Sequence, residues 1–493
     1  MQVLLINPPY MRLMGISTVY LPLGLGYLAS YLRSEGIPCS VYNGDLSGTA
    51  GGSEGTTSCA VLLSRHNTYK QALHDETGEV WRDLKATVAS AEPDVVGITV
   101  MSAKLESAIN VARLVKSLRP GCKVVAGGPH ATICPDDLMR FDDVDFVVRG
   151  EGEQTLLELC RTIGGKGGDL DRIDGLSFRR AGSVVHNAPR ALDKNVTRFP
   201  YPTREEYLGL ERYPKSTIGS MMTSRGCPYD CTFCNAKATW TRRVRYRDVD
   251  NVIEEMTLLK QKYAVPSYNF CDDSLTANRK RTEELLGKVI SGGLNLPWAC
   301  TTRTDLLDED LVKLMVEAGC YTIGIGLESG SDRMLEIIKK HITMSEFRKA
   351  CAMLDRHNVN YGVFLMVGFP EETEEDIRKT IDYVRTSRAP SICLSIFTPY
   401  PGCESYERAK EMGMIDGDLD WSNLSHQSPE NYFCHGVPRE RFVDLVRELA
   451  DAVDRHNSRM SSPLHSYLRK AKYYSGNPRL LAAKVKRVLG GAR

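Results

Sequence analysis

The residues best suited to chemistry in this 493-residue chain are three cysteines in one short stretch, Cys227-Pro228-Tyr229-Asp230-Cys231-Thr232-Phe233-Cys234. Thiolate is a soft ligand, and a CxxxCxxC spacing lets three sulfurs wrap one iron–sulfur cluster. A four-iron cluster normally takes four cysteines, and no fourth lies close by in the sequence. One iron is thereby left for a ligand that is not protein. The plainer alternative is three core cysteines falling into register among the fifteen in the chain. Cys39, Cys122, Cys160, Cys300, Cys320, Cys351 and Cys393 lie in apolar segments and read as small core residues of that kind. No Ser-His-Asp or Cys-His pairing, HExxH motif or phosphate-binding loop is legible elsewhere.

Two sets of elements must position this loop. From Met1 to about Cys160 apolar strand patterns alternate with helical ones: Val3–Asn7, Val41–Asp45, Asp94–Val100, Lys123–Ala126 and Asp145–Val148 read as strands. This is the pattern of a doubly wound α/β sheet, whose ligands sit outside the carboxyl ends of the strands. Those ends are Asn7-Pro8-Pro9, Ser102, Gly127-Gly128-Pro129-His130 and Gly150-Glu151. Glycine at a strand end lets a large flat ligand approach the backbone. No G-x-G-x-x-G opens the first helix, which argues against a dinucleotide. Gly44–Thr57, rich in Gly, Ser and Thr, reads either as a surface loop or as a cover for part of that ligand. Ile173–Asn187 reads as a hairpin and Arg190–Glu205 as an extended, proline-bearing linker.

Beyond the linker come six strand–helix units. After the strand 217–223 leading into the cysteine loop, the strand ends are Asp272-Asp273, Arg303, Glu328-Ser329-Gly330, Gly368-Phe369-Pro370-Glu371-Glu372-Thr373 and Thr398–Gly402. Polar, glycine-rich carboxyl ends in that number indicate a parallel barrel or partial barrel with its site on that face. Each carboxylate taken singly also suits a helix N-cap. The expected division is 1–165, a Rossmann-like domain; 166–214, hairpin and linker; 215–405, a partial (β/α)6 barrel; and 406–493, a helical segment with a basic tail.

The cysteine loop and the ordered strand ends resemble the radical SAM superfamily. The resemblance implies a [4Fe-4S] cluster on Cys227, Cys231 and Cys234, with S-adenosylmethionine (SAM) chelating the open iron and being cleaved to a 5′-deoxyadenosyl radical. It assigns Phe233, through its backbone rather than its ring, to the adenine, Asp272 and Asp273 to the SAM amino end, Arg303 to its carboxylate or to Glu328, and Glu328 to the ribose, with Ser329 a further SAM contact. Tyr229, Lys237, Trp240 and Arg245 surround the loop. The first domain looks like the cobalamin-binding domain found before many radical SAM barrels, through Ser102 and Gly127-Gly128. It departs at Asp45-Leu46-Ser47-Gly48, where Ser47 stands in place of the axial histidine, so no matched lower cobalt ligand is offered. His130 is the tempting substitute and reads better as a hydrogen-bonding residue. Asn7, Pro8, Pro9, Ser102, Gly127, Gly128, Pro129, His130, Gly150 and Glu151 are the expected cobalamin contacts.

The implied activity is methyl transfer from methylcobalamin to an unactivated carbon. The alternative is an oxidative cyclase or ring-rearranging enzyme without methyl transfer. A methylthiotransferase is a weaker one, since it would add cysteine ligands in the first domain and an RNA-binding β domain that the sequence lacks. A cobalamin carrier would leave the cysteines unexplained. The expected partners are a small-molecule, natural-product or lipid substrate and an electron donor of flavodoxin or ferredoxin type. The sequence names no catalytic base and no particular substrate.

Composition narrows the rest. With 63 basic and 62 acidic side chains there is no whole-chain case for nucleic acid. No apolar run could span a bilayer, and Met1–Asn7 reads as a strand rather than a signal peptide. Many cysteines without an export signal point to a reducing cytoplasm. Phe442, Leu445, Val446, Leu449 and Val453 form an amphipathic stripe expected to pack on the barrel. Leu464–Arg493 carries only basic charges, and its last helix bears Leu480, Leu481, Val485, Val488 and Leu489. Peripheral membrane contact is one reading of that tail, a solvated docked helix the other.

Overall fold

The computed structural model describes the chain except residues 17–18, 47–57, 418, 429, 476, 483–484 and 486–493. Ser47, the loop 48–57, Val488 and Leu489 therefore lie outside the described residues.

The first sheet has the order β2-β1-β3-β4-β5-β6-β7. Its strands are β1 (Val3–Asn7), β2 (Cys39–Asn43), β3 (Val95–Thr99), β4 (Lys123–Gly127), β5 (Phe146–Val148), β6 (Leu176–Arg180) and β7 (Ser183–His186). The first five run parallel and are nearly all apolar, because helices cover both faces. Helix Leu23–Ser34 packs beside Gly152–Ile163, and Glu79–Ala91 beside Leu105–Leu118. The hairpin expected in the linker instead joins this sheet, with β6 antiparallel to β5 through Phe146 opposite Phe178. Phe178 and Leu176 are buried there, so the pairing hides side chains that a free hairpin would leave in water.

The second sheet is a six-stranded parallel arc in the order β15-β14-β13-β12-β11-β8. Its strands are β8 (Ser220–Met221), β11 (Tyr268–Phe270), β12 (Trp298–Thr302), β13 (Cys320–Glu328), β14 (Asn360–Val367) and β15 (Ser391–Ile396). The short pair β9 (Ser224–Arg225) and β10 (Arg245–Tyr246) stands beside it. The strand expected over 217–223 is cut short. Lys215–Ile218 is one helical turn, and the Thr223 N–H and the Thr223 and Ser224 hydroxyls bond to Asp272 instead of a neighbouring strand. Alternation along the strands sends Val363, Leu365 and Ile392 to the helices and Phe364 and Cys393 to the open inner face. Cys393 is thus exposed, and Cys351 half-buried, where the sequence reading had core residues; Cys39, Cys122, Cys160, Cys300 and Cys320 are buried.

Helix Arg439–Met460 buries Phe442, Leu445, Leu449 and Val453 against helix Glu374–Thr386 and β15. It also reaches the first sheet's helices. The Asp454 carboxylate accepts the Cys59 N–H at 2.7 Å and the Ser58 hydroxyl at 2.7 Å, closing the N-terminus of helix Cys59–Leu73.

A buried ionic latch joins the two sheets. Arg225 of β9 pairs with Glu151 at 2.7 Å and with Glu153 at 2.6 Å, at the start of helix Gly152–Ile163, and Arg245 pairs with Glu151 at 2.7 Å. The Tyr27 and Phe199 rings each lie 5.3 Å from the Arg225 guanidinium. Removing one partner from such a pair strands the other charge away from water. Arg225→Met should lower the unfolding free energy by about 3–5 kcal/mol, read from urea melts. A loss below about 1 kcal/mol would make the latch equivalent to a surface pair.

Candidate active site at the facing carboxyl ends

The cysteine loop follows β9 directly, and Gly226 makes the turn with φ +102, where a Cβ would come within 2.9 Å of the Arg243 carbonyl. The loop is pinned from outside. Thr232 N–H donates to the Ile338 carbonyl at 3.1 Å, Ser405 N–H to the Thr232 carbonyl at 2.9 Å, and the Ser405 hydroxyl to the Thr232 hydroxyl at 2.8 Å. Cys227 and Cys231 are half-buried and Cys234 is accessible. Burial pushes all three thiols up, Cys234 to about 11. At Cys231 the positive charges of Lys340 and Arg303 oppose that rise. Arg303 Nη1 lies 3.8 Å from the Cys231 sulfur, and its guanidinium covers the Tyr229 ring at 4.0 Å. Among the described residues no three metal-binding side chains converge on a single-ion point. A cluster whose cysteines each bind a different iron does not require such convergence, so a three-cysteine loop flanked by two cations suits it.

The strand ends divide into braces and open groups. Asp272 is buried and spent on Thr223 and Ser224, so it stiffens the approach to the loop, whereas its neighbour Asp273 is accessible. Ser329 is buried and accepts the Ser331 N–H at 3.2 Å, shaping the turn after β13. Glu328 stands at a register shift with φ +72, an uncommon conformation for a side-chain-bearing residue, and pairs with Lys340 at 2.8 Å. Arg303 pairs with Asp305 at 2.9 Å. Phe233 packs edge-on against Phe369, ring centroids 5.8 Å apart. Glu372 accepts the Gly368 N–H at 2.5 Å and so holds the turn that carries Phe369; burial raises its pKa to about 8. Sequence reasoning singled out neither Lys340 nor Arg225, and it took Glu372 only as part of a strand end. Asp and Glu at strand ends are legible in a sequence, whereas their partners arrive from distant segments.

At the first sheet a cavity of about 320 Å³ runs down between the strand ends and the helices Leu23–Ser34 and Gly152–Ile163. Gly97, Gly127, Gly128, Gly150 and Gly152 form its backbone walls, with Leu25, Ile98 and Leu156 among its apolar lining. Gly128 has φ +98, and a Cβ there would lie 2.9 Å from the Thr99 hydroxyl. Met222, Arg225 and Trp240 close the cavity from the barrel side. Lined mainly by apolar groups, it fits an apolar part of a larger ligand whose bulk lies on the carboxyl edge. Of the expected cobalamin contacts, Gly127, Gly128, Pro129, Gly150 and Glu151 line it. Asn7, Pro8 and Pro9 lie outside the lining, tied to Lys104 and Ser107: Lys104 Nζ is 3.0 Å from the Asn7 amide oxygen and 3.4 Å from the Pro8 carbonyl, and the Ser107 hydroxyl donates to the Pro9 carbonyl at 2.6 Å. Ser102 and His130 are paired with each other, Oγ to Nδ1 2.9 Å. His130 Nε2 sits 3.2 Å from Asp137, off the line of a well-formed hydrogen bond, and the ring packs edge-on to Trp421 at 5.6 Å. This buried histidine has both nitrogens directed at protein.

The two carboxyl edges share one recess. Tyr20, Cys271, Asp273, Cys393 and His426 are all accessible, yet loss of solvent moves every one of them toward its neutral form. Met222, Arg225 and Trp240 of the barrel side line the cavity of the first sheet, so the recess lies between the two edges. Tyr20 belongs to the first domain, Cys271 and Asp273 to the end of β11 and Cys393 to β15. His426 is held at the end of β15, where the Ile396 N–H donates to its carbonyl at 2.8 Å.

A family model for the radical SAM superfamily matches residues 221–384, and one for the B12-binding domain matches 16–160. An uncharacterized methyltransferase of Pyrococcus horikoshii is 33% identical over 455 residues, 91% of both chains. The chain belongs to the cobalamin-binding radical SAM family. Its cofactors are accordingly a [4Fe-4S] cluster, SAM and cobalamin, and it is an enzyme. The chain is also 25% identical over 447 residues to the cytidylyl-2-hydroxyethylphosphonate methyltransferase of Streptomyces wedmorensis, covering 82% of this chain and 81% of that one. In fold it resembles TsrM, a radical S-adenosylmethionine methyltransferase from Kitasatospora setae solved with tryptophan and a SAM analogue, at TM-score 0.68, 18% identity and 99% coverage of both chains.

Two measurements test the assignments of this family site. Replacing Cys227, Cys231 and Cys234 together with alanine should abolish the broad visible absorption of the reconstituted protein, and full retention of iron and sulfide would place the cluster elsewhere. Gly127→Phe should lower bound corrinoid at least about tenfold with little change in melting temperature, because a Cβ at this position meets only ordinary contacts, 3.7 Å to the Val148 carbonyl. Normal loading in that variant would empty the cavity of its role.

Proposed function

We propose that the protein methylates an unactivated carbon of a small molecule, with Asp273, Arg303, Glu328 and Phe233 forming the SAM-binding face. The observation carrying this reading is the shared recess: the glycine-walled cavity of one sheet and the cysteine loop of the other lie at carboxyl edges that face each other. When bound, cluster and SAM supply a hydrogen-abstracting radical and the corrinoid a transferable methyl group.

The chain's own residues supply binding, orientation and exclusion of water. Asp273 is the accessible carboxylate at the mouth and suits an ammonium group. Glu328, oriented by Lys340, offers acceptor oxygens to ribose hydroxyls. Phe233, its ring held edge-on against Phe369, offers its backbone to adenine. Arg303 and Lys340 offset negative charge beside Cys231. Closure of the recess keeps solvent from a reactive carbon centre. Reduction of the cluster requires an external donor of flavodoxin or ferredoxin type. A small-molecule substrate accords with the phosphonate and tryptophan named for the relative and the structural neighbour.

The deciding assay supplies reductant, SAM with a labelled methyl group and candidate small molecules. It quantifies 5′-deoxyadenosine, S-adenosylhomocysteine and labelled product. Near-equal nucleosides with a labelled product are expected, and deoxyadenosine without adenosylhomocysteine would overturn methyl transfer in favour of cyclisation. Glu328→Ala should lower both nucleosides together by about ten- to hundredfold, the worth of a lost charge-assisted hydrogen bond.

A further inference from the structure

The C-terminal tail plays no part in the chemistry above. From Leu464 to Arg493 it has no acidic residue and eight basic ones: Arg469, Lys470, Lys472, Arg479, Lys484, Lys486, Arg487 and Arg493. The whole chain has a net charge of +1, so the rest of the molecule carries seven net negative charges. The tail is anchored by one face only. Tyr473 is buried and its hydroxyl donates to the Gly319 carbonyl at 3.1 Å. The Asn477 amide donates to the Val316 carbonyl, Arg479 pairs with Glu317 at 3.1 Å, and Leu480 is buried. Val316, Glu317 and Gly319 immediately precede β13, which places the anchor at the amino end of the arc, opposite the recess.

The other face of helix Pro463–Ser475 is open. Leu464, Tyr467 and Leu468 are 65%, 70% and 52% exposed, and with Ala471 they follow the spacing of a single helical stripe. Leu481 and Val485, beyond the helix, are 42% and 48% exposed. Lys470 and Lys472 are exposed beside the stripe. Soluble proteins seldom leave such a ridge in water without an occupant. A nucleic acid would use the charges and leave leucine and tyrosine wet. A surface offering both negative charge and hydrocarbon uses all of them.

We propose that the segment Leu464–Val485 docks peripherally on an anionic lipid surface, with Leu464, Tyr467 and Leu468 seated below the headgroups and the lysines among them. The negative remainder of the molecule is repelled by the same surface, so the protein approaches tail first and the recess faces the aqueous side. No helix among the described residues is long and apolar enough to cross a membrane, so the contact is interfacial.

The test uses the full-length protein and sedimentation with vesicles, either of phosphatidylcholine alone or with about one-third phosphatidylglycerol. At low salt at least about ten times more protein should sediment with the anionic vesicles, and high salt should reduce the difference. Two variants, Leu464→Ser/Tyr467→Ser/Leu468→Ser and Lys470→Glu/Lys472→Glu, should each fall to the level of neutral vesicles with unchanged melting curves, since every altered side chain is exposed. Tyr467→Trp should show a blue-shifted emission component only with anionic vesicles. Equal sedimentation with both lipids, or undiminished binding by either variant, overturns the proposal. So does binding of duplex DNA or RNA without binding of vesicles, which would reassign the tail to nucleic acid.

Discussion

Of the contacts that fix the relative placement of the two halves, the one taken furthest from water is a buried cluster of charges. Glu151 and Glu153 lie at the positive end of a helix in the first domain, and Arg225 and Arg245 reach them from the strand pair flanking the arc. Ions taken this far from water are held by each other, by the rings packed over Arg225 and by the Asp193 backbone, whose N–H donates to Glu151 and whose carbonyl accepts from Arg245, so the geometry is narrow. Arg225 is also two residues before Cys227. The cysteine loop is therefore referenced directly to the strand ends that wall the cavity of the first sheet, through three guanidinium–carboxylate contacts.

Within the arc the same economy operates through missing atoms. Gly324 and Gly326 face inward, where a Cβ would come within 2.8 Å of the Phe364 ring and 2.1 Å of Glu328 respectively. Room for Phe364 and Glu328 exists because their neighbours on β13 have no side chain. Glu328 itself occupies a backbone conformation that costs about 1–3 kcal/mol, held by the Lys340 pair and the register shift. The inner face is consequently accessible while the helix-facing side chains Val363, Leu365, Ile323 and Ile325 are packed without space.

Much of this was legible in the sequence because the signals are local. CxxxCxxC, the apolar runs of β1 and β3 and the glycine pairs at strand ends all declare themselves within a few residues. What escaped was long-range. The hairpin Leu176–His186 has a hairpin's sequence, and nothing in it says that β5 needs an antiparallel neighbour. Cys393 sits among apolar residues, and only the alternation along β15 puts it on the open face. Asp272 and Asp273 are adjacent and chemically identical, yet one is a buried brace and the other an accessible group, a difference made by Thr223 and Ser224 folding beneath the first. Arg225, Lys340 and Glu372 acquire meaning only through partners or turns that the chain brings together in space.

The arc of six strands does not close: β8 and β15 are its two ends and share no hydrogen bonds. A complete cylinder can admit only what passes its mouth, since widening it breaks a ladder. An arc has a seam. Side chains along the seam can part without cost to any backbone pairing. The cavity side of the arc can therefore change width without unpairing any strand.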